Sequence, residues 1–135
     1  MFQYSRPVCD GPSADGLDPI RAYIDDGDYG TAIAELKSLN QEEAGNADVL
    51  NLLGYSYRKT GDLDTAHEYY TAALSVDPKH RGANEYIGEL YLETGQLGKA
   101  EERLAVLDGE CFFPCAEYTD LKAAIKSYKQ ENGMN

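Results

Sequence analysis

Tryptophan is absent from this 135-residue chain, and phenylalanine occurs only three times. Basic residues are also scarce, because twelve lysines and arginines stand against twenty-four aspartates and glutamates, which gives a formal net charge of −12. The acidic residues are spread along the sequence, so the phosphate groups of nucleic acids or anionic membranes would be repelled. The composition therefore argues against nucleic acid and membrane surfaces as the main partners.

Long apolar runs are missing too. No stretch approaches the roughly 18 residues of a membrane-spanning helix, and residues 1–10 lack the charged and then apolar layout of a signal peptide. This predicts a soluble chain. A signal removed upstream would leave no trace, so we expect either the cytoplasm or, after such removal, the periplasm. With 42% hydrophobic residues, one domain with a sizeable core is expected.

Groups arranged for catalysis are sparse. The two histidines, His67 and His80, fall on different predicted helical segments, and no serine or cysteine is placed beside either as a nucleophile. No glycine-rich loop follows a strand, and no strands are predicted. We therefore predict a non-enzymatic protein with no catalytic residues, no cofactor and no metal.

What the sequence does contain is a period of 34 residues. Three segments align, and the positions that recur at this spacing are Gly27, Gly61 and Gly95, together with Ala32, Ala66 and Ala100. Self-similarity at this period is typical of stacked helical hairpins. The sequence therefore predicts three consecutive hairpins.

The middle unit illustrates the hairpin. Asn46 is placed to cap a first helix whose apolar stripe includes Leu50, Leu53 and Tyr57. Gly61 then ends that helix, and Asp62 is placed to cap a second one. The second helix carries the apolar positions Leu63, Ala66, Tyr70, Ala73 and Leu74. We expect the small residues Gly54 and Ala66 to lie where the two helices cross.

With these positions in place, residues 47–80 resemble a tetratricopeptide repeat. The family pattern of Trp, Leu, Gly, Tyr, Gly, Ala, Phe, Ala and Pro is met by Leu50, Leu53, Gly54, Tyr57, Gly61, Ala66, Tyr70, Ala73 and Pro78. The neighbouring units keep fewer of these residues, as is typical of terminal repeats. The resemblance implies an all-α fold, a right-handed α-solenoid of three hairpins followed by a C-terminal capping helix.

The predicted organisation is an irregular arm at 1–12, repeats at 13–46, 47–80 and 81–114, and a capping helix with its tail at 115–135. In the first repeat, Asp18 and Pro19 are predicted to be a cap followed by proline at the first helical position, which shortens that helix. The capping helix has one apolar face, which consists of Tyr118, Leu121, Ile125 and Tyr128. This face would cover the last hairpin.

The resemblance also implies a function. In this family the concave face, lined by the first helices, binds an extended peptide or a helix of another protein. The corresponding positions here are Arg21, Asn51, Tyr55, Arg58, Lys59, Glu85, Tyr86 and Glu89. Arg58 and Lys59 beside Tyr55 would accept an acidic group, with Tyr86 as an apolar wall; the alternative is a solvated helix face. The carboxylate clamp of heat-shock co-chaperones is not expected, because its positions hold Leu17, Arg21, Leu52, Gly82 and Tyr86.

The prediction is thus a protein-interaction module or scaffold whose partner is another protein. A structural role in self-assembly, with a homo-oligomer as the product, is the first alternative. A thiol-based redox or metal-handling protein that uses Cys111 and Cys115 is the second.

Three interpretations of Cys111 and Cys115 stay open. A disulfide is geometrically plausible, because a turn and the first turn of the next helix bring Cα atoms to about 5.5–6 Å. Buried thiols are the second, with Phe112 and Phe113 beside them, and in either case these rings would plug the end of the core. Redox or metal chemistry is the third, although zinc requires four ligands and the pair has no partners nearby in sequence. Cys9 is left over.

A narrower resemblance concerns the stretch from Asp77 through the C-x-x-x-C-x-E-Y segment and the helix that follows. It is similar to small exported repeat proteins of Gram-negative bacteria, which carry an N-terminal signal. This resemblance implies the periplasm, and an oxidising compartment favours the disulfide.

Overall fold

The computed structural model describes residues 15–113 and 115–134, so the predicted arm at 1–12, with Cys9, lies outside the described residues. Seven helices and no strands occur in these two ranges. The helices are α1 (Asp18–Asp25), α2 (Tyr29–Glu42), α3 (Ala47–Lys59), α4 (Leu63–Val76), α5 (Arg81–Glu93), α6 (Leu97–Glu110) and α7 (Ala116–Glu131). The predicted all-α fold is confirmed. None of these helices has the length and apolar composition needed to cross a membrane.

Local capping chemistry sets the helix boundaries. The side chains of Asp28, Asn46 and Asp62 each accept a hydrogen bond from a backbone N–H in the first turn of α2, α3 and α4, at 2.9–3.2 Å. Gly61 ends the hairpin turn after α3 at φ +92°, a conformation that glycine adopts without steric cost. The caps predicted at Asn46 and Asp62 are confirmed. α1 begins at Asp18, one residue earlier than predicted, with Leu17 as its N-cap.

His80 caps α5, a role that the sequence did not reveal. Its Nδ1 accepts from the Ala83 N–H at 3.0 Å, so the neutral ring carries its proton on Nε2. Nε2–H then donates to Asp48 Oδ1 at 2.6 Å. Because Asp48 lies in the first turn of α3, this one ring fixes the starts of two successive odd-numbered helices against each other.

Helices α3 and α4 approach closely at Gly54. A Cβ atom added there would lie 2.6 Å from Cδ1 of the fully buried Tyr70. The prediction of a small residue at the crossing was therefore right for Gly54, but its neighbour is the Tyr70 ring. Ala66 is fully buried in the core cluster that also contains Tyr70 and extends from α1 to α5.

α7 covers the last hairpin as predicted. Leu121 and Ile125 are buried and form a core cluster with Ala100 of α6 and Leu107 at its C-terminal end. A Cβ atom added at Gly88 of α5 would lie 2.7 Å from Leu121, which places α7 directly on α5 as well as on α6.

The loop between α6 and α7 is closed by a disulfide between Cys111 and Cys115, whose Cα atoms are 5.7 Å apart. Phe112 and Phe113 are 93% and 75% exposed and contact each other edge to face. The prediction that these rings plug the end of the core is wrong. The α6–α7 junction is instead packed with Leu107 and Leu121, which are both fully buried.

We expect reduction of this disulfide to destabilise the chain only modestly. Closing a loop of about five residues restricts the unfolded chain little, so the loss should be at most about 2 kcal/mol. Thermal unfolding followed by circular dichroism, with and without a phosphine reductant, measures it. The Cys111→Ser/Cys115→Ser variant is the control, because its melting temperature should match that of the reduced wild type and should not change when the reductant is added. A reductant effect of equal size in that variant would contradict the assignment.

Candidate partner-binding groove

The odd-numbered helices share one surface, here called the concave face. Residues of α1, α3, α5 and α7 line one cavity of about 160 Å³, and residues of α3, α5 and α7 line a second, open cavity of about 510 Å³. The eight predicted groove residues all lie on α1, α3 or α5. Five of the eight line a cavity: Arg21, Asn51 and Tyr86 line the smaller one, and Arg58 and Glu89 line the larger one.

The centre of the concave face is filled by Tyr55 and Tyr86. Their ring centroids are 4.9 Å apart, and the side chains are 0% and 1% exposed. Burial raises the pKa of the Tyr55 hydroxyl, because an ionised phenolate would be poorly solvated there. Lys59 Nζ lies 5.8 Å from the Tyr55 ring centroid, a cation–π contact. Both tyrosines are thus buried in this face, and Tyr86 also lines the smaller cavity.

Arg58 is engaged by the protein itself. Its Nη2 donates to Glu89 at 3.2 Å and its Nε donates to Glu93. The Arg58 and Glu89 side chains are each 10% exposed, whereas that of Glu93 is 43% exposed. Burial opposes the charge on Arg58, but Tyr70, Glu89 and Glu93 outweigh it and raise the pKa of the guanidinium. The donors expected to hold a partner's acidic group are thus directed at α5.

Lys59 is partly buried beside Arg58. Burial, together with the neighbouring positive charge of Arg58, lowers the pKa of the Lys59 ammonium. The two cations expected to hold an acidic group therefore differ, because Arg58 is bonded to carboxylates of α5 and Lys59 lies over the Tyr55 ring.

The other end of the concave face is small and polar. Arg21 donates to both carboxylate oxygens of Asp15, at 2.9 and 2.7 Å, and lies 3.5 Å from Asp18. With Asn51 and Tyr86 it lines the 160 Å³ cavity. Glu85 is fully buried and lines neither cavity.

The larger cavity is an open groove between α5 and α7, and we call it the α5–α7 groove. Most of its lining surface is apolar, and the apolar residues among those that line it are Leu92, Ala123 and Ala124. The polar residues that line it are Arg58, Glu89, Glu93, Asp120, Ser127, Tyr128 and Glu131. Of the predicted site residues, only Arg58 and Glu89 line it.

Sequence reasoning missed the α7 wall because that helix was assigned only a covering role. A signal was present. Asp120, Ala124, Ser127 and Glu131 recur at intervals of three and four residues, so they form a second stripe on α7, apart from its apolar face. This stripe is the one that lines the groove.

The chain belongs to the tetratricopeptide repeat family, whose sequence profile matches residues 57–125. Over 53 residues it is 38% identical to the DnaJ protein P58IPK homolog A of Oryza sativa subsp. japonica. That match covers 39% of this chain and 11% of the rice protein, so the chain spans only a small part of its relative.

Two solved structures have the same fold. The Yersinia enterocolitica type III secretion translocator chaperone SycD superimposes with a TM-score of 0.72 at 20% identity, covering 91% of this chain and 90% of SycD. SycD in complex with a peptide of the translocator YopD gives a TM-score of 0.69, also at 20% identity, covering 89% and 97%. At this level of identity the likeness establishes the fold, an α-helical repeat.

Proposed function

We propose that this chain is a non-enzymatic protein-interaction module that binds a peptide or helix of another protein in the α5–α7 groove. The observation that carries the proposal is the groove itself, an open cavity of about 510 Å³ with a mainly apolar lining on the concave face of a tetratricopeptide repeat fold. The SycD complex with a YopD peptide supports it, because a protein of this fold binds a peptide.

Proteins of this fold are typically non-enzymatic, and the positions of the histidines agree with a binding role. His67 contacts the Tyr91 hydroxyl at 3.3 Å, and His80 is occupied by Asp48 and the α5 cap. Within residues 15–113 and 115–134, no group of three or more His, Cys, Asp or Glu side chains is arranged to hold a metal ion.

The proposed site differs in part from the set expected from the sequence. Arg58 and Glu89 line the groove, and the α7 residues Ala124, Ser127 and Glu131 join them. Tyr55 is not among the residues that line the groove; it is buried, with the Tyr86 ring centroid 4.9 Å and Lys59 Nζ 5.8 Å from its ring centroid.

Blocking the groove tests the proposal. Ser127 is exposed and lines the groove, so Ser127→Trp should fill it and reduce partner capture from a native extract at least tenfold. The matched control is Ser75→Trp, an exposed position on α4 that lines none of the cavities described above. Quantitative mass spectrometry of the captured proteins, with circular dichroism to verify folding, provides the measurement. Equal capture by wild type and both variants would contradict the groove assignment.

Self-assembly is the second candidate, because residues of α6 and α7 line another open groove, which we call the outer groove. Leu104, Ile125 and Met134 line it, with Lys122, Lys126 and Lys129 among its polar residues, and its volume is about 470 Å³. A basic apolar surface on a chain of charge −12 is suited to the acidic surface of a second copy. Light scattering across micromolar concentrations separates this candidate from the first, since a monomer throughout would rule it out.

A further inference from the structure

We propose that the α5–α7 groove selects a basic amphipathic helix, a partner segment with apolar side chains on one face flanked by lysine or arginine. This inference rests on the proposed function and specifies the chemistry of its partner. The evidence is the distribution of charge and apolar surface around the groove.

Carboxylates dominate the charged lining of the groove. Glu89 and Glu93 come from α5, and Asp120 and Glu131 come from α7, whereas Arg58 is the one cation among the described lining residues. Arg58 is already bonded to both α5 carboxylates. A partner's lysine or arginine would therefore meet an excess of negative charge, and a partner's carboxylate would be repelled.

The exposed carboxylates can accept further donors. The Glu93 side chain is 43% exposed although it receives the Arg58 Nε–H, and a carboxylate offers about four acceptor positions. Glu131 is exposed at the C-terminal end of α7. Both can thus bond a partner without breaking the Arg58 contacts.

The length of the acidic stripe suits a short helix. Asp120 and Glu131 are eleven residues apart on α7, which corresponds to about 16 Å along the helix axis, or three turns. Between them, Ala123, Ala124 and Ser127 are small, so a partner helix can approach closely. A helix of that length presents apolar anchors at positions i, i+3 or i+4, and i+7, which is how amphipathic helices bind in grooves.

The lysines of α7 do not neutralise this stripe, because they lie around the outer groove. Lys129 pairs with Glu101 of α6 at 3.1 Å, and Lys122 lies over the Tyr118 ring at 5.7 Å. Lys126 lines the outer groove with them. The helix is thus acidic towards the α5–α7 groove and basic on its outer side.

Two designed 18-residue helical peptides with identical apolar positions test the inference, one carrying lysine and the other glutamate at every polar position. Fluorescence anisotropy of labelled peptides against the full chain gives the affinities. We expect the lysine peptide to bind at least tenfold more tightly than the glutamate peptide. Its affinity should fall as the salt concentration is raised from 50 to 300 mM.

Charge reversal at the groove provides the matched comparison. Glu131→Lys should lower the affinity for the lysine peptide about five- to tenfold, whereas Glu102→Lys should change that affinity less than twofold. Glu102 is exposed on α6 and lines neither groove, and both substitutions alter the net charge equally. Ser127→Trp should abolish binding of the lysine peptide.

The outcomes separate the two proposals. If both peptides bind equally well and Ser127→Trp abolishes the binding of both, the charge preference is overturned and peptide binding in the groove is supported. Binding that persists in Ser127→Trp would overturn the groove as the site and with it both proposals. If neither peptide binds, the preference for a basic helix is overturned, and partner capture by wild type and Ser127→Trp decides the proposed function separately. The chain alone could self-associate at the concentrations used. If Glu131→Lys abolished that self-association, the groove would be assigned to a second copy, and the proposal of a basic partner helix would be overturned.

Discussion

Arg58→Met should destabilise the chain by about 3–5 kcal/mol, because it leaves the buried Glu89 carboxylate without its partner. The exposed Glu93 contributes less, since a pair that is open to solvent is worth about 1 kcal/mol or below. Urea unfolding followed by circular dichroism measures the change. Arg81→Met is the control, because Arg81 is exposed and donates to the Glu110 carbonyl oxygen; its effect should stay within about 0.5 kcal/mol.

The double variant Arg58→Met/Glu89→Gln isolates the cause. With the buried charge removed together with its partner, more than half of the lost stability should return. If the double variant is as unstable as the two single changes added together, Arg58 acts through packing of its stem and not through its charge.

Gly54→Leu should cost about 3 kcal/mol or more, the upper end of the range for overpacked cores. Even its Cβ atom would lie 2.6 Å from the buried Tyr70 ring, so α3 and α4 must separate or the ring must leave its position. Thermal and urea unfolding both report the loss.

Gly98→Leu, on α6, is the matched control. Among the described residues, no atom beyond the adjoining α6 backbone and the two chain neighbours lies within 4 Å of a Cβ added at Gly98. Leucine also favours a helix more than glycine does, so stability should be unchanged or slightly higher. Equal stability of the two leucine variants would mean that α3 and α4 are not in close contact at Gly54.

The sequence predicted the helices because their boundaries depend on local chemistry. A cap such as Asp62 bonds a backbone N–H three residues away, and Gly61 adopts its positive φ within the same turn. Such interactions can be inferred from residues that are neighbours in the sequence. The burial of Leu121 and Ile125 was predicted as well, because they lie on the apolar face of the capping helix.

The candidate site was harder to predict because it depends on contacts between repeats. Arg58 bonds residues that lie 31 and 35 positions later, and no local pattern indicates that these bonds remove it from the surface. Tyr55 and Tyr86 were assigned to the open groove from the repeat pattern, yet each is buried. The prediction for Phe112 and Phe113 was wrong in the opposite direction, because an apolar side chain is not always buried.

The position of α7 limits how this repeat array can be lengthened. Repeat proteins commonly grow by duplication of whole units, and the cap then simply moves to the new end. Here a 34-residue unit inserted between α6 and α7 would carry Asp120, Ser127 and Glu131 one hairpin away from Glu89 and Leu92. The groove would then be rebuilt from the side chains of the inserted unit, so duplication at this end would change what the protein recognises as well as its length.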